Sequence, residues 1–234
     1  MVVHDALVLD DPVGQSLRGH HAHLARQLGQ AATYLPGVAT FSAISTDPDA
    51  ADWADLAKLL GRGELADMFG SPAAPPPDWE PVFLLEGRQM IWPGSGRPDL
   101  SHAGSDTSVV ELGVDDVPEM LDLVARTRPG PFWSRTHELG TYLGIRDNGT
   151  LVAMAGERLR PPGWTEISAV CTAPEARGRG HAARLVSALT TRIVARNERP
   201  FLHVAEANTG AIALYERLGF KSRKHVTFQG FRTP

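Results

Sequence analysis

The chain has 234 residues, 42% apolar and 21% charged, ordinary proportions for a soluble globular protein of one large or two small domains. A net charge of −4 without a basic stripe argues against nucleic acid or an anionic membrane as a partner, and no run of eighteen apolar residues suggests a membrane span. The single Cys171 excludes an internal disulfide and a Cys-based zinc site, and the opening M-V-V-H-D lacks the basic-then-apolar order of a secretory leader, so a cytoplasmic location is expected.

Residues 1 to 100 carry no complete chemical motif. Leu17, Leu24 and Leu28 predict a helix over 15–30, residues 38–44 read as a strand, and residues 52–60 as a helix with Trp53, Leu56, Leu59 and Leu60 facing inward. Residues 72–77 form a Pro/Ala turn, and strands are expected at 82–85 and 89–92 with Glu86-Gly87-Arg88 as the bend between them. His20, His21 and His23 invite a metal reading, but no neighbouring Asp, Glu or Cys completes a ligand set; a solvated helical cluster and no metal are expected. Gly94-Ser95-Gly96 is followed by Arg97-Pro98-Asp99 rather than by a helix, so residues 93–106 read as a linker.

From residue 107 the elements become regular. A strand at 108–112 precedes a helix that Asp115 or Asp116 caps, with Val117, Met120, Leu121 and Val124 on one face. Residues 127–139 mix aromatics and charges without alternation. Strands at 142–147 and 151–159 flank Asn148-Gly149, a strong hairpin signal, and a third strand covers 165–171. After a Gly-rich loop, Ala182, Leu185, Val186, Leu189 and Ile193 define one face of a helix. A strand at 201–204, a helix that Asn208 caps and Gly219 ends, and a last strand at 220–228 complete an α/β chain.

The loop organises this half. Residues 170–183 read V-C-T-A-P-E-A-R-G-R-G-H-A-A, a strand end, a turn and a helix start. Gly178 and Gly180 open backbone conformations closed to other residues, so successive N–H groups can converge beside the positive end of the following helix. The result is a site for a phosphate or pyrophosphate, with Arg177 and Arg179 at its rim. Gly178-x-Gly180-x-x-Ala183 also fits a dinucleotide fingerprint. However, residues 173–177 separate the first Gly from its strand, and Glu198 and Glu206 are misplaced for a ribose contact. A nucleotide-dependent oxidoreductase is therefore disfavoured.

Arg177-x-x-Gly180-x-Ala182 resembles the acyl-CoA pyrophosphate loop of the GNAT superfamily of N-acetyltransferases. Glu206-Ala207-Asn208-x-x-Ala211-x-x-x-Tyr215-x-x-x-Gly219-Phe220 is similar to that family's strand-end Asn, Ala/Tyr helix and closing Gly-Phe. The element order from residue 107 resembles the complete domain. The wording of 166–182 resembles a bacterial subgroup close to the C-terminal domain of glycine N-acyltransferases, in which the first half is a diverged GNAT-like region without its own CoA loop. The resemblance thus implies an α/β (α+β) mixed-sheet fold, with residues 1–100 as the diverged half and 107–234 as the GNAT domain.

It also implies an acetyltransferase that moves an acetyl group from acetyl-CoA to a primary amine of a small molecule or amino acid, without a metal; a non-catalytic CoA-binding sensor or interaction module is the alternative. Backbone N–H groups of Arg177, Gly178, Arg179, Gly180, His181 and Ala182 would hold the pyrophosphate, and backbone of Val170 and Thr172 would pair with the pantetheine amides between splayed strands. Asn208 would bond the same arm, beside Ala211. Spacing alone favours Tyr215 as a core aromatic; the resemblance makes it the acid. The base would be Glu166 or Glu157, unless these are solvated strand residues or partners of Arg158 or Arg160, and the oxyanion donor would be the Val170 or Cys171 N–H. The Cys171 thiol is expected to be inert through burial, and His203 to be a satisfied sheet residue. Trp133, Arg135, His137 and Trp164 are candidates for the acceptor pocket. The first region is expected to pack across the acceptor cleft or on a dimer partner.

Overall fold

A computed structural model describes residues 3–94 and 109–234. Most of the linker read at 93–106 lies outside the described residues. The first helix is much shorter than its leucine spacing predicts. Helix α1 (Pro12–Arg18) starts with Asp11 accepting from the Gly14 N–H at 3.0 Å and stops at Gly19. Residues 25–34 then form a hairpin, β1 (Ala25–Leu28) against β2 (Ala31–Tyr34), because Gly29 takes a left-handed φ of 55° and turns the chain back. Leu17 and Leu24 still share one core, from a helix and from the turn before a strand. His21 is not solvated: it is buried, its ring nitrogens bonded to the Tyr34 hydroxyl at 2.9 Å and the Leu139 carbonyl at 3.1 Å. The strand expected at 38–44 shrinks to β3 (Ser42–Ala43), which closes a three-stranded sheet β1-β2-β3.

Helix α2 (Ala50–Leu60) forms as its pattern dictates. Asp49 accepts from the N–H groups of Ala51 and Asp52, Asp52 reaches back to the Asp49 N–H, and Trp53 and Leu56 are buried. Strand β4 (Leu65–Asp67) follows. The two short strands expected around residue 87 are one, β5 (Glu80–Ile91). Gly87 is not a bend: a Cβ there would lie 2.3 Å from the Phe228 ring and 2.9 Å from the Val204 carbonyl oxygen, so glycine allows close packing within a continuous strand.

The second half follows the predicted order: β6 (Val109–Leu112), α3 (Val117–Thr127), β7 (Tyr142–Asp147), β8 (Thr150–Glu157), β9 (Trp164–Thr172), α4 (His181–Ala195), β10 (Arg199–Ala205), α5 (Thr209–Arg217) and β11 (Lys221–Arg232). Asn148 and Gly149, both at positive φ, join β7 to β8. The eight-stranded sheet runs β4-β11-β5-β10-β9-β8-β7-β6. Strand β5, from before the linker, therefore lies between β10 and β11, and both halves of the chain share one mixed sheet. The largest core lies between the sheet and helices α3, α4 and α5, with Met120, Leu123, Leu185, Leu189 and Ile193 fully buried. A second core joins the opposite face to the first region through Leu17, Tyr34, Phe41, Phe201 and Phe228.

Two irregularities set up the site. Strands β9 and β10 are parallel but pair only at Trp164↔Arg199, Thr165↔Pro200 and Glu166↔Phe201, after which they part. On its other edge β9 slips register against β8 between Met154↔Cys171 and Gly156↔Ser168, where Ala169 takes a φ of 52°. Such a bulge leaves backbone groups unpaired. The Gly87 packing can be checked directly: Gly87→Val should lower the unfolding free energy by about 1–3 kcal/mol in urea titration, and an unchanged midpoint would contradict it.

Candidate active site

One continuous cavity of about 600 Å³ opens where β9 and β10 part. At one end it meets Arg177 and Ala182 of the Gly-rich loop; along its wall lie Val170, Cys171, Thr172, Asn208, Ala211 and Tyr215; at the other end lie Phe41, Asp67, Phe69, Arg158, His203 and Phe228.

The loop has the features of an anion site. Gly178 and Gly180 each have φ of 78°, and a Cβ on either would meet nothing within 4 Å, so the space above the loop is open. Helix α4 begins at Gly180 without a side-chain cap, so its first N–H groups lack that partner. With a length of fifteen residues the helix carries a full macrodipole toward that point. Arg179 is tied to Asp147 at 2.9 Å, while among the described residues Arg177 reaches only the Thr172 carbonyl, at 3.4 Å. His181 opens the helix, half-buried.

Asn208 caps α5 as its position predicts, its Oδ1 accepting from the Ala211 N–H at 3.2 Å, and it also borders the cavity. Tyr215 is buried, in edge contact with Phe220, and burial pushes its hydroxyl up to about 12. It therefore keeps its proton across the physiological range. Burial likewise raises the Cys171 thiol, so little thiolate forms at pH 7.

The two glutamates stand in different places. Glu166 is fully buried beneath the cavity floor. Arg158 donates to it twice, at 2.8 and 2.7 Å; His203 Nδ1 lies 2.6 Å from Oε1, and the Leu159 N–H 3.3 Å from Oε2. Burial alone would raise its pKa, but the Arg158 charge and these bonds overcome that and hold it well below the usual carboxylate range. Burial pushes His203 down against the pull of Glu166, so the ring is neutral: Nδ1–H donates to Glu166, and Nε2 accepts from Gln89 Nε2 at 3.1 Å. Glu157 takes no part in the cavity. It binds Arg196 at 2.8 Å, beyond the end of α4, and accepts from the Thr141 N–H at 3.3 Å.

The aromatic and charged candidates for an acceptor pocket also lie elsewhere. Trp164 is buried against Phe201, Arg135 pairs with Glu138, and Trp133 packs on the second core; none lines the cavity, nor does His137. The far wall comes instead from the first region and β11. Phe69 stacks on Phe228 with centroids 4.6 Å apart, Phe41 lies 4.6 Å from Phe69, and the Arg158 guanidinium lies 4.6 and 5.0 Å from the Phe69 and Phe41 ring centres. Asp67 ends β4 there, its carboxyl buried. No local pattern in L-A-D-M-F marks Asp67 or Phe69 as site residues, because their neighbours come from Arg158 and His203, far along the chain.

Residues 142–229 match the family model described as FR47-like protein. The chain is similar to an acetyltransferase assigned to the GNAT family from Novosphingobium aromaticivorans DSM 12444: 39% identity, TM-score 0.87, covering 97% of this chain and 99% of that one. Two further solved structures share the fold. A GCN5-related N-acetyltransferase from Kribbella flavida gives a TM-score of 0.61 at 17% identity over 97% of this chain and 96% of its own. A GCN5-related N-acetyltransferase-like protein from Streptococcus suis 89/1591 gives 0.53 at 18% over 99% and 97%. No curated protein matches in sequence. The chain belongs to the GNAT family of acetyltransferases, whose acetyl donor is acetyl-CoA.

The residues present fit that donor: an open Gly-rich turn at an uncapped helix start suits a diphosphate, and a gap between half-paired strands suits an amide-bearing arm. The buried floor generates its own test. Glu166→Gln leaves Arg158 without its counter-charge and should cost about 3–5 kcal/mol of stability in urea unfolding. Equal stability would contradict the ion-paired floor.

Proposed function

We propose that the chain transfers an acetyl group from acetyl-CoA to a primary amine of a small molecule, with Tyr215 as the proton donor. The observation that carries this reading is the single cavity joining the loop at Arg177 and Ala182 to Tyr215 through the gap between β9 and β10.

The roles follow from what each group has to offer. Backbone N–H groups of Gly178, Arg179, Gly180, His181 and Ala182 bind the diphosphate, and Arg177 adds charge at its side. The edge of β9 at Val170 and Thr172, unpaired by β10, receives the pantetheine amides, and Asn208, its Oδ1 committed to the α5 cap, offers Nδ2 to the same arm. Acetyl-CoA when bound supplies the acetyl group as a thioester and leaves as a thiol. Val170 and Cys171 border the cavity just past the bulge at Ala169, and the N–H of one of them is assigned the polarising of the thioester carbonyl oxygen. Tyr215 holds its hydroxyl proton at the same wall and is the acid for the departing sulfur. Glu166 serves this chemistry by position: its bonds to Arg158 and His203 hold the floor where the strands part.

Tyr215→Phe should lower kcat by roughly 10²–10⁴-fold while leaving the Kd for CoA within a factor of two or so, measured by free-thiol release and calorimetry. Unchanged turnover across pH would remove Tyr215 from the role. Gly180→Val, placing a branched side chain at a φ of 78°, should weaken CoA binding at least tenfold with folding retained. Binding of CoA without transfer to any amine would favour the sensor or interaction module instead.

A further inference from the structure

An amine acceptor arrives as an ammonium and reacts as a free base, so a site for it needs a carboxylate with an open lone pair. Among the described residues lining the cavity, Asp67 is the one carboxylate. Glu166 lies below the floor with its oxygens engaged by Arg158, His203 and the Leu159 N–H, and His203 Nε2 is taken by Gln89. Asp67 is only 4% exposed. Thr40 donates its hydroxyl to Oδ2 at 2.8 Å, and Oδ1 has no partner among the described residues.

We propose that Asp67, contributed by the first region of the chain, is the acceptor-binding carboxylate and proton acceptor, and that the acceptor is a primary amine with an aromatic or apolar body and no carboxylate. This rests on the acetyltransferase reading of the same cavity. The proton step balances within the pair: Oδ1 of the Asp67 carboxylate takes one proton from the ammonium, leaving a neutral amine and a neutral carboxylic acid. The body of the acceptor is set by the surrounding wall. Phe41, Phe69, Phe83, Leu85 and Phe228 line this end, and ring faces also favour a cation. The charge balance argues against a second carboxylate on the acceptor. Arg158 is neutralised by Glu166 at 2.7 Å, so Asp67 is the one unbalanced charge at this end and calls for a monovalent cation.

The groups facing Asp67 are Thr40 from the segment before β3, Arg158 from the end of β8, and, behind Arg158, Glu166 of β9 and the neutral His203 of β10. Burial raises the Asp67 carboxyl, against the smaller pulls of Thr40 and Arg158, to about 6. The sign is that of a base: amine binding and transfer appear as pH rises through about 6 and Asp67 loses its proton.

The experiment uses the full chain with CoA for calorimetry and acetyl-CoA for thiol release, and 2-phenylethylamine, L-phenylalanine and glycine as probes. In the wild type 2-phenylethylamine should bind and be acetylated at least tenfold better in kcat/KM than either amino acid. Asp67→Asn should lower kcat/KM for it roughly 10²-fold or more, abolish the rise near pH 6 and leave CoA binding intact. Thr40→Val keeps the carboxylate but removes its donor, so the same rise should move to higher pH, a shift that a merely structural role would not give. CoA binding with equal amine binding by Asp67→Asn and wild type, or an unmoved profile in Thr40→Val, would overturn the assignment of Asp67. Preference for L-phenylalanine or glycine would overturn the acceptor class. Failure of the wild type to bind CoA would instead overturn the acetyltransferase reading beneath it.

Discussion

The short pairing between β9 and β10 is the constraint on which the site depends. Three residue pairs hold the strands together, ending at Glu166↔Phe201. At that last pair Glu166 is bound to Arg158 on one side and to His203, two residues further along β10, on the other. Beyond it, the His203 ring packs edge-on against Phe69, Phe201 and Phe228, and β10 runs on paired with β5. Such a buried ionic cluster is not needed to make a core, since apolar residues of similar volume are often as stable. Its effect here is geometric, a rigid point at which two strands stop pairing.

What leaves the strands unpaired also supplies the proposed recognition surface. Backbone groups that would have completed a ladder are left facing a cavity, where they must find other partners. The bulge at Ala169 interrupts the ladder on the opposite edge of β9, against β8. A little further on, Gly178 and Gly180 turn the chain so that the start of α4 points at the same opening. The parting of β9 from β10 and the Gly178/Gly180 turn thus both border one cavity, where the proposed reading has polar backbone meet the amides and phosphates of the donor. Side chains enter along the wall, at Asn208 and Tyr215, and at the far end, where the proposed acceptor would be distinguished.

How much of this was legible in the sequence depended on how far away the partners are. The Asn148-Gly149 turn, the Asn208 cap, the α2 capping box and the Gly178/Gly180 loop are local, and their residues act on neighbours a few positions away. Leu17, Leu24 and Leu28 misled because helical spacing is only a prior, and Gly29 with a paired strand at residues 31–34 outweighed it. His21 looked solvated because its partner, the Leu139 carbonyl, is more than a hundred residues on. The place of β5 between β10 and β11 was hidden for the same reason, as were the buried Asp67 and the pairing that occupies Glu166.

Sharing one sheet between the two regions means that the cavity wall and the loop cannot move apart freely. Phe228 of β11 packs against Gly87 of β5, and β5 pairs with β10 at the cavity edge. The central claim is that backbone at Val170, Thr172 and residues 178–182 grips acetyl-CoA. Hydrogen–deuterium exchange of the full chain with and without CoA tests it most directly. The account predicts slowed exchange at Val170, Thr172 and 178–182 and little change in the β1-β2-β3 sheet. CoA-dependent protection confined to other segments, or none at saturating CoA, would contradict it.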